Sequence, residues 1–123
     1  MGLQSYEYGL RPQDSFEVIK EFQLTTEHLE ILNRLFPPLI GPQSIGLYHF
    51  INQFVDDHHH YPLTHYIFMN ELKINLLDFR KQMDYLEAIG LIKTFVKHEE
   101  QQTRFVYQLI LPPIAYQFIN DPM

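Results

Sequence analysis

ELKINLLDFRKQMDYLEAIGLIK runs from Glu71 to Lys93, and its character changes twice along the way. Leu72 closes one helical segment. Asn75 then offers a side-chain oxygen for a new helix N-terminus. Ile74 and Phe79 flank it at the spacing of a hydrophobic staple, and Asp78 is placed for a capping-box-like pair. The helix that follows is predicted from Leu76 to about Ile89, with Phe79, Met83 and Leu86 turned inward. Gly90 stands where a C-terminal cap wants a left-handed residue. Beyond it the pattern alternates. Leu91 to His98 and Thr103 to Leu111 read as two strands around the polar turn EEQQ. Phe95 on the first strand is expected to share a buried face with Phe105, Tyr107 and Leu109 on the second. Pro112 and Pro113 end the hairpin.

The same staple device recurs upstream. Leu24 and Leu29 bracket Thr25; Ile40 and Ile45 bracket Gly41, with Pro42 at the favoured first helical position; Leu63 and Phe68 bracket Thr64. A first helix is predicted from Thr26 to Phe36, with Leu29, Leu32, Leu35 and Phe36 as its apolar stripe and Pro37–Pro38 as its stop. A second runs from Pro42 to about Val55. Ile45, Leu47, Tyr48, Phe50, Ile51, Phe54 and Val55 leave it little polar face, so it is expected at the centre. Each large apolar side chain buried there contributes roughly 1.5–3 kcal/mol. A short third helix is expected from Thr64 to Glu71. The segment FEVIKEFQL fits two patterns: Phe16, Val18 and Phe22 alternate, while Phe16, Ile19 and Phe22 suit a helix. The strand is preferred. The organisation expected is an arm over residues 1–24, a folded domain over 25–113, and the start of a carboxy-terminal extension over 114–123, beginning another short helix.

With 123 residues and 46% hydrophobic content, one globular domain is expected. The net charge of -6 counts against avid nonspecific DNA binding. There is no cysteine, so disulfides, a thiolate nucleophile and cysteine-based zinc sites are excluded. The start MGLQSYEYGL lacks the basic and apolar regions of a signal peptide, and Tyr6 replaces the Ser or Thr of a myristoylation signal. No run approaches the roughly 20 apolar residues of a membrane span. A cytoplasmic location is expected.

Catalytic chemistry finds little support. Ser5, Ser15 and Ser44 lie in no nucleophile elbow, and no Gly-rich phosphate loop is present. Glu27 with Glu30 and Glu99 with Glu100 read as exposed helix and turn charges. No enzyme and no cofactor are expected. The stretch FVDDHHHYPLTH, Phe54 to His65, invites a metal reading, because Asp56, His58 and His60 would point the same way in an extended loop. No His-x-x-x-His pair supports it. A solvated loop is preferred to adventitious metal affinity or a mild pH effect, and to a true metal site.

For nucleic acid, the helix after Asn75 is expected to expose Asp78, Arg80, Lys81, Gln82, Asp84 and Glu87, two bases against three acids. Glu99 and Glu100 at the wing tip would repel phosphates. The best cationic stripe is Lys73, Arg80, Lys81, Lys93 and Lys97, with a solvated charged face as the alternative. Weak, salt-sensitive DNA contact is expected. For self-association, ten Phe and eight Tyr exceed what a small core readily absorbs. Tyr6, Tyr8, Phe16 and Phe22 in the arm and Phe95, Phe105 and Tyr107 in the wing are the candidates, ordinary core being the alternative. A wing strand with a free edge could also pair with a second chain. A symmetric dimer, or a tetramer built from dimers, is expected.

Two helices joined by a short turn and followed by a hairpin make a winged helix-turn-helix. The fold class expected is therefore α+β, mainly helical, with a two-stranded wing hairpin and an amino-terminal arm that adds a strand. PPLIGPQSIGLYHF (Pro37 to Phe50), LEAIGLIKTFVK (Leu86 to Lys97), YQLILPP (Tyr107 to Pro113) and FINDPM (Phe118 to Met123) carry a narrower likeness. On these segments the chain resembles the amino-terminal domain of the DnaB replication-initiation and membrane-attachment proteins of Gram-positive bacteria. Those are helicase loaders of the DnaD/DnaB family, distinct from the replicative helicase of the same name. The resemblance implies a non-enzymatic oligomerisation and assembly module of replication initiation and the primosome. It implies a DnaD-like primosome protein and a helicase-loading ATPase as partners, and DNA contact left largely to longer carboxy-terminal modules. It also implies an excised fragment and peripheral membrane association of the full-length protein, which no segment here explains. The runner-up is a DNA-binding winged-helix regulator that contacts duplex DNA through the second helix of its helix-turn-helix, the one after Asn75, and through the wing.

Overall fold

A computed structural model describes residues 9–20, 24–55, 63–100 and 102–112. In chain order the elements are β1 (Ser15–Ile19), α1 (Thr26–Arg34), α2 (Pro37–Ile40), α3 (Pro42–Asn52), β2 (Leu63–Thr64), α4 (Tyr66–Leu72), α5 (Leu76–Ala88), β3 (Ile92–Glu99) and β4 (Gln102–Leu109). The strands form one sheet in the order β2-β1-β4-β3. β3 and β4 are the antiparallel wing, β1 lies parallel to β4, and β2 adds a two-residue antiparallel edge to β1.

The helix starts follow from their caps. Thr25 accepts from the His28 backbone N–H at 3.2 Å, and the His28 ring answers the Thr25 N–H at 3.1 Å. This is a capping box with histidine in the usual Glu position. Asn75 accepts from the Asp78 N–H at 2.7 Å and opens α5. Two expectations at helix starts are corrected. Pro37 and Pro38 do not only stop α1: they occupy the first turn of α2, where a missing N–H is not needed. Thr64 does not cap α4; it pairs with Ser15 in β2, and His65 takes the cap position without a side-chain bond to the helix backbone.

The core lies between the helices and one face of the sheet. α3 runs through it: Ile45, Leu47, Tyr48 and Ile51 are buried, and the Tyr48 hydroxyl donates to the Ile110 carbonyl at 3.0 Å. α5 contributes Phe79, Met83 and Leu86 as expected. On α1 the inward residues are His28, Ile31 and Leu32, continued just past its end by Phe36, while Leu29 on the helix and Leu35 at its C-cap are exposed. The sheet presents Phe16 and Val18 of β1, Ile92 of β3, and Phe105, Tyr107 and Leu109 of β4 to this core. Phe95 is not among them. In the observed register Ile92 faces Leu109, Thr94 faces Tyr107 and Val96 faces Phe105, so Phe95 opposite Val106 falls on the other side of the sheet. It is 48% exposed.

Between α4 and α5, Lys73 adopts a left-handed conformation (φ 58°), and after α5 Gly90 does so at φ 84°. Gly90 suits this geometry because it has no Cβ. Lys73 tolerates it at some cost, and so closes the tight turn of the helix-turn-helix.

Candidate assembly and nucleic-acid surfaces

Helix α5 occupies the place of a recognition helix, and its outward face is not basic. Leu77 is 67% exposed and Tyr85 40%. Asp78, Lys81 and Asp84 are exposed between them, whereas Arg80, Gln82 and Glu87 are only half-exposed. Gln82 is tied to α3, where it accepts a hydrogen bond from the Ser44 hydroxyl and donates to Gln43 at 3.2 Å. Burial raises the Glu87 carboxyl above the ordinary glutamate range. The face is thus apolar and mixed in charge, a poor match for phosphates.

The cationic stripe read from the sequence is divided. Lys73 sits in the turn before α5, and Arg80 and Lys81 sit on α5 itself. Lys93 and Lys97 point to the opposite side of the sheet, in alternation with the inward Ile92 and Thr94. There they share a face with Phe95. Register adds Arg104 opposite Lys97 and Gln108 opposite Lys93. Arg104 is a member that the sequence pattern did not supply, because its position depends on strand pairing.

The aromatic candidates divide as well. Phe16, Phe105 and Tyr107 are 4%, 0% and 1% exposed, so they belong to the core and present no surface to another chain. They line the inner sheet face, where an aromatic side chain gains most from burial. Phe95 alone among the described members is exposed. Tyr6, Tyr8 and Phe22 lie outside the described residues, as do Asp56, His58 and His60. Among the described residues no cluster of His, Asp or Glu could hold a metal ion.

One polar feature of the interior was not read from the sequence. His65, at the end of the histidine-rich stretch, is fully buried. One ring nitrogen, Nδ1, lies 2.7 Å from the Asp14 carbonyl, and Nε2 lies 2.7 Å from the Tyr107 hydroxyl. Phe16, Phe68, Phe79 and Phe105 surround the ring, at centroid distances of 5.1 to 5.8 Å. Burial pushes its pKa down to about 4, against an opposing effect of the Asp14 carbonyl and carboxylate. The neutral ring donates from one nitrogen and accepts on the other, so both contacts are satisfied. Asp14 is fixed in turn: its carboxylate accepts from the Arg11 backbone N–H at 2.8 Å and pairs with the Arg11 guanidinium at 3.2 Å. The segment before β1 is thereby bolted to α4 and the wing.

Among the described residues no helix is long and apolar enough to cross a membrane. Comparison with known proteins places this architecture. The chain is 66% identical over its whole length to the replicative helicase loading/DNA remodeling protein DnaB of Staphylococcus aureus (strain NCTC 8325 / PS 47), and spans 27% of that protein. The crystal structure of primosome protein DnaB (residues 1–300) from Geobacillus stearothermophilus superposes with a TM-score of 0.84 at 28% identity, covering 93% of this chain and 44% of that one. The chain thus spans about a quarter of its curated relative and less than half of the solved one. A family model described as the DnaB N-terminal winged helix domain matches residues 10–123, and the chain belongs to that family.

Proposed function

We propose that the chain is a non-enzymatic assembly module of a replication-initiation protein that helps to load the replicative helicase. The identity of 66% across the whole chain to a helicase-loading protein carries this reading. The chemistry of α5 supports it. Where a DNA reader would offer cations and amides, this helix exposes Leu77 and Tyr85 beside Asp78 and Asp84. Exposed apolar side chains interspersed with both charges suit contact with protein.

Leu29, Leu35 and Leu39 add exposed apolar surface on α1 and α2. We assign the helical side of the molecule to self-association, as a dimer or tetramer. Docking of a DnaD-like primosome protein and a helicase-loading ATPase onto the assembly belongs to the same reading. So does peripheral membrane association of a longer parent chain in the cytoplasm.

The competing function is a regulator that grips duplex DNA with α5 and the wing. A gel shift on duplex DNA at physiological salt separates the two. The assembly reading expects no retention at submicromolar protein. A dissociation constant below micromolar there would return the regulator.

A further inference from the structure

We propose that the outer face of the wing sheet is a weak binding site for single-stranded nucleic acid. The site is distinct from α5 and independent of the assembly reading. Phe95, 48% exposed, stands at its centre. Lys93 and Lys97 flank it two residues away on the same strand, hence on the same face. Arg104 faces Lys97 across the ladder, and Val106 faces Phe95. The cations therefore surround an open aromatic ring, with Lys93 and Lys97 about 13 Å apart along β3. Among the described residues none of the three forms an ion pair.

Charge complementarity identifies the occupant. The chain carries a net charge of -6, yet cations gather around this ring. Two carboxylates share the face. Glu17 sits on β1, on the far side of β4 from Phe95, and Glu99 lies at the strand end, bonded to Gln102 at 3.3 Å. They bound the patch and limit its affinity. An exposed ring flanked by lysines on a sheet face is a stacking platform with phosphate partners alongside. Bases are free to stack on it only in a single strand; those of a duplex are already stacked. An acidic peptide would use the cations and leave the ring without a partner of its own kind.

The test is fluorescence anisotropy of a labelled oligothymidylate of about 20 nucleotides, titrated with the chain from about 50 mM salt upward. The proposal expects binding at low salt, with a log–log salt slope of about -2 for three cations on a single strand. Phe95→Ala should weaken binding roughly tenfold with an unchanged melting curve, and Phe95→Tyr should restore it. Charge reversal by K93E, K97E and R104E together should abolish it. No binding at low salt would overturn the proposal. So would equal affinity for a duplex of the same length, wild-type affinity in Phe95→Ala, or displacement of the oligonucleotide by an equal concentration of polyglutamate. A Phe95→Ala change that alters only the oligomeric state would assign the face to a second copy instead.

Discussion

His65 concentrates several consequences in one ring. Its two nitrogens join the segment before β1 to the wing, through Asp14 and Tyr107. Protonation would remove the acceptor that faces the Tyr107 hydroxyl and place a charge among phenylalanines. With an ordinary value near 6.5 in the unfolded chain and about 4 in the fold, the unfolded state binds the proton first as pH falls. The stability tied to the neutral ring is fully present above pH 6.5 and is lost as pH falls toward 4, by about 3 kcal/mol in total. Asp84 and Glu87, whose carboxyls burial raises, act in the opposite sense over the acid range. Urea unfolding at pH 7 and pH 4.5 should show a clear loss of stability in the wild type. The double variant His65→Phe with Tyr107→Phe removes both the titrating ring and the hydroxyl it would orphan, and should show a flatter pH dependence. An unchanged slope would mean that other groups set it.

At the scale of the elements, local chemistry carries the helix boundaries. Asn75→Ala removes the acceptor of the Asp78 N–H and should cost about 1 kcal/mol in chemical denaturation. Gly90→Ala places a Cβ on a left-handed residue between α5 and the wing, and should cost about 1–2 kcal/mol. Its surroundings leave open space, so the penalty is conformational and not a clash. Both positions were legible in the sequence, because a cap and a left-handed glycine are defined by a few neighbouring residues. So was the central place of α3, which follows from its nearly unbroken apolar circumference. What was not legible depends on pairing at a distance. A period of two shows that β3 has two faces, but not which one is inward. That choice is made by Ile92 against Leu109 and Thr94 against Tyr107. Phe95 lies one residue out of phase with the inward set, and this places it on the surface and not in the core. The parallel pairing of β1 with β4 was equally hidden, since nearly the whole domain separates the two strands. His65 was hidden differently: it ends a histidine-rich run whose polar composition suggested a loop.

Across the whole molecule, the sheet separates two chemistries. Its inner face and the helices build a core centred on Tyr48, Phe68, Phe79 and Tyr107. Its outer face carries Phe95 among Lys93, Lys97 and Arg104. The helical side exposes Leu29, Leu35, Leu39, Leu77 and Tyr85 without a basic excess on α5. Burial of such side chains against a second copy is the driving force expected for assembly. Substitution of Leu77 and Tyr85 by Glu would oppose that burial without opening the core. Self-association is measured by multi-angle light scattering of the chain at high micromolar concentration. The expected mass is that of a dimer or tetramer, and a mass of monomer alone at that concentration would rule out assembly through the helical side.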